Sequence, residues 1–83
     1  MKIGLIGAGR LGICLALLLE KAGYEVVVSD CRHDYVIGLN NRVITTSEPE
    51  VAELLDNAKN FTAVTDNLEV IKQCDFIFTL VAT

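Results

Sequence analysis

The apolar run Ile3 to Ile6 leads directly into Gly7, Gly9 and Gly12, and then into a long apolar stretch, within the segment KIGLIGAGRLG. A short apolar run bounded by glycine reads as a buried strand, and the stretch behind it has helical spacing. Few folds pass from strand to helix through the spacing G-x-G-x-x-G, and in that context each glycine has its own task. Gly7 permits the tight turn out of the strand. Gly9 lacks a Cβ, so a pyrophosphate can approach the backbone. Gly12 lets the helix lie close on the strand. The unpaired N–H groups of the first helical turn, near Arg10 and Leu11, point at such an anion, and the positive end of the helix dipole favours it.

A second feature fits the first. Asp30 closes the next strand pattern, about 20 residues on, where a carboxylate accepts hydrogen bonds from the adenosine ribose. The expected cofactor is therefore NAD, because Asp30 would repel the 2′-phosphate of NADP. Arg32 pulls the other way, since a nearby arginine can accommodate that phosphate.

With 83 residues the chain is at most one small domain, and with 52% apolar residues it is globular. Its net charge of −4 gives no basic footprint for nucleic acid. The longest apolar run, Leu11 to Leu19, falls short of the roughly 20 residues that span a bilayer. The first residues are broken by glycines and lack a cleavage-site pattern, so they do not read as a signal peptide. Cys14, Cys31 and Cys74 show no C-x-x-C spacing and read as reduced cysteines of a cytoplasmic protein. Glu48, Glu50, Glu53 and Asp56 read as a solvated helix face, with no His or Cys nearby to suggest a metal. His33, the single histidine, reads as exposed.

Taken in order, the first strand is Lys2 to Ile6. The first helix is Arg10 to Ala22, with Leu11, Leu15, Leu18 and Leu19 as its expected buried face, and Gly23 stops it in a left-handed conformation. The second strand is Glu25 to Ser29, whose three valines suit burial on both sides. A short helix follows from His33 to Asn40, with Val36, Ile37 and Leu39 inward, and then a loop to Thr46. The third helix spans Ser47 to Ala58, with a capping-box spacing from Ser47 to Glu50 and a stripe of Val51, Leu54, Leu55 and Ala58. A short edge strand, Phe61 to Val64, precedes a helix capped by Asp66 and ending near Gln73. The last strand is Asp75 to Val81, read as a buried run.

This alternation predicts an α/β fold with a parallel, Rossmann-like sheet of strand order 3-2-1-4, the first half of a doubly wound dinucleotide-binding fold. The first three helices fall on one face and the fourth on the other. Residues 1–83 then form an incomplete N-terminal dinucleotide-binding domain. Its fourth strand is left as an apolar edge, so the chain alone is expected to be marginal or self-associating, or part of a longer protein.

The whole chain resembles the N-terminal part of the UDP-glucose/GDP-mannose dehydrogenase family. KIGLIGAGRLG with Asp30 is shared by many dehydrogenases. Val36, Leu39, Asn40 and Asn41, then Glu48-Pro49, then Leu54-Leu55, follow that family's "V-x-x-L-N-x-G … E-P-G-L-x-x-L-L" stretch. Thr65-Asp66 and Cys74-Asp75, before an apolar strand ending in Thr83, continue the likeness. The resemblance implies an NAD-dependent enzyme that oxidises a nucleotide-sugar alcohol to the acid and forms homo-oligomers; this chain, lacking the catalytic residues, is expected to be inactive alone. It implies that Gly7, Gly9 and Gly12, with the backbone of Arg10 and Leu11, hold the pyrophosphate, that Asp30 binds the ribose, and that Thr83 lies near the phosphates. The family's catalytic cysteine lies far downstream, so none of these residues is catalytic. The chain departs from the family at Arg10, usually tyrosine, at Tyr35, often lysine, and at Arg42, Glu50 and Ala82, usually glycine. Two other readings share the glycine segment: an NAD(P)-dependent dehydrogenase of hydroxyacid or hydroxyacyl type, and a non-catalytic nucleotide-sensing module. The first of these does not account for Glu48-Pro49.

Overall fold

The computed structural model describes residues 1–43 and 49–80, with the backbone alone at Arg10. The elements run β1 (Lys2–Ile6), α1 (Arg10–Lys21), β2 (Glu25–Ser29), α2 (His33–Asn40), α3 (Pro49–Asn57), β3 (Phe61–Val64), α4 (Asn67–Gln73) and β4 (Phe76–Thr79). All strand pairs are parallel, and the order is β3-β2-β1-β4, as expected from the sequence.

Alternation along the strands sorts side chains to two faces. Ile3, Leu5, Val26, Val28, Phe61 and Ala63 form one core with Ile13 and Leu17 of α1, Val36 and Leu39 of α2, and Val51 and Leu55 of α3. Gly4 points the other way, where α4 crosses the sheet. A Cβ at Gly4 would overlap Cγ1 of Val70 and stand 2.9 Å from the Cys74 sulfur. So α1, α2 and α3 cover one face and α4 the other.

Two helices end in the same motif. At α1, Gly23 (φ 108°) donates to Glu20 and Tyr24 donates to Leu19. At α2, Arg42 donates to Leu39 and Val43 to Gly38, with Arg42 itself left-handed at φ 63°. These paired bonds satisfy carbonyls that the helix leaves open. Arg42 offsets its strained backbone with its side chain. The guanidinium donates to the carbonyls of Leu39 (3.0 Å), Ala58 (3.0 Å) and Phe61 (3.2 Å), joining α2 to the approach and start of β3.

The structure corrects three expectations. In α1 the buried residues are Gly12, Ile13, Ala16 and Leu17, while Leu11, Leu15 and Leu18 are exposed. Every residue from Ile13 to Leu19 is apolar, so periodicity does not set the helix's rotation. Gly12 sets it, because a Cβ there would overlap the Gly7 carbonyl oxygen. In α2, Ile37 is exposed, and Val36 and Leu39 alone are buried. β4 is exposed at every residue and is not a buried run, since on the described residues it has β1 on one side and an open edge on the other. It spans Phe76–Thr79, shorter than expected. Ser47, the first residue of the expected capping box, Glu48 and the strand's expected end, Val81, lie outside the described residues. The stripe of α3 is as expected, with Val51, Leu55 and Ala58 buried and Leu54 packed on the core.

Candidate dinucleotide-binding site

The carboxyl ends of β1, β2 and β3 open on a cavity of about 490 Å³. Ile6 and Gly7 line it from β1, Ser29 to Cys31 from β2, and Thr65 to Asn67 from the turn between β3 and α4. At Gly7 the chain leaves β1 with φ 100°. Its N–H still donates to Ser29, so the β1–β2 ladder holds to the turn itself. A Cβ on Gly7 would lie 2.8 Å from the Leu80 carbonyl, which puts the ends of β1 and β4 side by side.

The glycines differ in what requires them. Five of the six have either a positive φ or an atom that a Cβ would strike. Gly9 has neither: its φ is −68°, and a Cβ there meets nothing within 4 Å. Packing among the described residues does not call for glycine at this position, whereas a ligand approaching the backbone would. Gly9 is also the N-cap of α1, and no side chain caps the helix. No acidic residue stands in the first turn. The N–H groups of Arg10, Leu11 and Gly12 are thus left without a capping side chain, in the arrangement that receives a phosphate. The Leu11 side chain is exposed.

Asp30 follows β2 with its side chain 9% exposed. Its Oδ1 accepts from the Arg32 N–H (2.9 Å) and Nε (2.9 Å), and its Oδ2 from Arg32 Nη2 (3.0 Å). The arginine fork holds the Asp30 carboxyl below its usual range, against the opposing effect of burial. The guanidinium also lies 4.1 Å from the centre of the Tyr35 ring. Tyr35 in turn donates its hydroxyl to the Ala8 carbonyl, inside the glycine segment. Burial raises the Tyr35 hydroxyl above its usual value, so it is the protonated donor that stands there at neutral pH. Asp30, Arg32, Tyr35 and Ala8 thus connect the acidic end of β2 to the glycine turn.

Other wall residues carry weaker sequence signals. Ser29 is fully buried, and its hydroxyl donates to Asn67 Oδ1 at 2.6 Å, tying β2 to the start of α4. Asp66 caps α4 through the Leu68 N–H (2.9 Å). Tyr35 stood out in the sequence only as a departure from lysine, and its bond to Ala8 needs a register that the sequence does not print. Thr83 lies outside the described residues, as does the side chain of Arg10. Among the described residues no group of His, Cys, Asp and Glu is placed to hold a metal, and no helix is long and apolar enough to cross a membrane.

Comparisons with known proteins agree with this geometry. The chain is 29% identical over its full length to the UDP-N-acetyl-D-mannosamine dehydrogenase of Pyrococcus horikoshii, of which it covers 20%. It is 32% identical over 73 residues to the UDP-glucose 6-dehydrogenase AglM of Haloferax volcanii, covering 86% of this chain and 17% of that protein. Among solved structures, a GDP-mannose dehydrogenase from Pseudomonas aeruginosa superposes with a TM-score of 0.92 at 26% identity, over 100% of this chain and 20% of that one. The chain thus spans about a fifth of the length of the curated relatives it matches. The model of the UDP-glucose/GDP-mannose dehydrogenase family, NAD binding domain, matches residues 1–83. The chain belongs to that family, as its NAD binding domain.

Proposed function

We infer that this chain holds the adenosine diphosphate part of NAD within an enzyme that oxidises a nucleotide-sugar alcohol to the acid. Gly9 carries the reading, as a glycine that only a ligand requires, placed at an uncapped helix N-terminus. The backbone N–H groups of Arg10, Leu11 and Gly12 receive the diphosphate, Gly7 shapes the turn, and Asp30 accepts the ribose hydroxyls. Thr83 completes the phosphate contacts. Bound NAD supplies the hydride acceptor. The residues of this chain bind and orient it and take no part in proton transfer. The nucleotide-sugar substrate and the subunit contacts of a homo-oligomer belong to the rest of the protein. The free cysteines suit a reducing compartment, the cytoplasm.

Isothermal titration with NAD and ADP-ribose tests this. The two are expected to bind alike, since the chain contacts only the part they share. Gly9→Val is expected to weaken both at least tenfold while the circular dichroism spectrum stays unchanged, because the added side chain meets no protein atom. Equal binding to wild type and Gly9→Val would overturn the reading.

A further inference from the structure

Asp30 does not face the cavity as a bare carboxylate. The backbone of Ala8 bears on it, and Arg32 gives it three hydrogen bonds. One comes from the backbone and holds the carboxylate whatever the side chain does. The other two come from a guanidinium whose side chain is 58% exposed. If the guanidinium swings away, Oδ2 and part of Oδ1 are freed, enough to accept from two ribose hydroxyls. While it stays, the pair is neutral, and the usual repulsion between an acidic residue and a 2′-phosphate is largely cancelled. The guanidinium is a planar fork suited to phosphate oxygens, and it lies 4.1 Å from the centre of the Tyr35 ring. Asp66 lies on the opposite wall, and its Oδ1 is engaged at the α4 cap.

We propose that Arg32 sets the dinucleotide selectivity of this domain: it covers Asp30 in the free protein and turns to the 2′-phosphate when one is present, so that the site takes NADP as well as NAD. This rests on the ribose-binding role of Asp30 inferred above.

The test is a titration of the chain, wild type and Arg32→Ala, with ADP-ribose and 2′-phospho-ADP-ribose. Wild type is expected to bind the two within about tenfold of each other. Arg32→Ala is expected to weaken the 2′-phosphorylated ligand at least tenfold, and to leave ADP-ribose as tight or a few-fold tighter because its acceptor is uncovered. Arg32→Lys keeps the charge without the fork and is expected to fall between. Raising the salt should weaken the phosphorylated ligand in wild type and much less in Arg32→Ala. Wild type that binds ADP-ribose and excludes its 2′-phosphate by a hundredfold would overturn the proposal and leave the NAD reading intact. So would an Arg32→Ala that weakens both ligands equally, the mark of a structural role. Failure of both ligands to bind the folded wild type would overturn both readings.

Discussion

Arg42 shows how one side chain can offset an unfavourable backbone. The position is left-handed, a conformation that costs a residue with a Cβ about 1–2 kcal/mol, yet the guanidinium gathers carbonyls from three places in the chain. Arg42→Ala keeps the strain and loses the bonds, whereas Arg42→Gly loses the same bonds and relieves the strain. Chemical denaturation should rank wild type first, Arg42→Gly second, and Arg42→Ala last, with about 1 kcal/mol between the two variants. If glycine proves no better than alanine, the backbone is not strained there. Asp30 and Tyr35 predict opposite pH responses. The Asp30 carboxyl is held low by Arg32, so its stabilisation is present at neutral pH and is lost as the pH falls below about 4, the ordinary aspartate range. The Tyr35 hydroxyl is held high, so its contribution is present below about pH 10 and is lost above it. Denaturation midpoints against pH should therefore flatten at the acid end in Asp30→Asn and at the alkaline end in Tyr35→Phe. The sequence marked Asp30 and Arg32 as a pair with opposing effects. It did not reveal that they bond each other, because that depends on the turn after β2.

Element boundaries were legible where a local signal marked them, as at Gly23, Asp66 and the valines of β2. Helix rotation was less so. In α1 the apolar pattern runs all the way round, and the close approach of Gly12 to the Gly7 carbonyl decides which side is buried. This can be measured. Ile13→Ala and Leu17→Ala should each cost about 2–4 kcal/mol as buried large-to-small changes. Leu11→Gln, at a residue 80% exposed, should stay within about 0.5 kcal/mol of wild type. The reverse ranking would mean that the helix is turned to the other phase. The shape of the glycine turn was readable in part: Gly12 meets the Gly7 carbonyl five residues back, whereas the Leu80 carbonyl beside Gly7 comes from the far end of the chain.

At the scale of the molecule, the strand order follows from alternation and right-handed crossover alone, and the structure agrees. What alternation does not tell is how much of β4 is covered, since burial depends on neighbours a strand does not carry in its own sequence. Phe76, Ile77 and Phe78 are 55%, 39% and 45% exposed on that strand, and Leu11, Leu15 and Leu18 form a second open stripe. The chain on its own is therefore expected to self-associate with rising concentration in sedimentation velocity, and Ile77→Lys should shift it towards monomer. A wild type that stays monomeric at high concentration would count against this. The opposite margin of the sheet is treated differently. The Asn40 side chain donates to the Ala63 carbonyl (2.9 Å) and accepts from the Ala63 N–H (2.8 Å), much as a neighbouring strand would. One amide thus closes the β3 margin, so the sheet has a finished end and an unfinished one. Any strand that joins it, whether from the same polypeptide, a fusion partner or another molecule, is directed to β4, and the growth of the sheet runs one way.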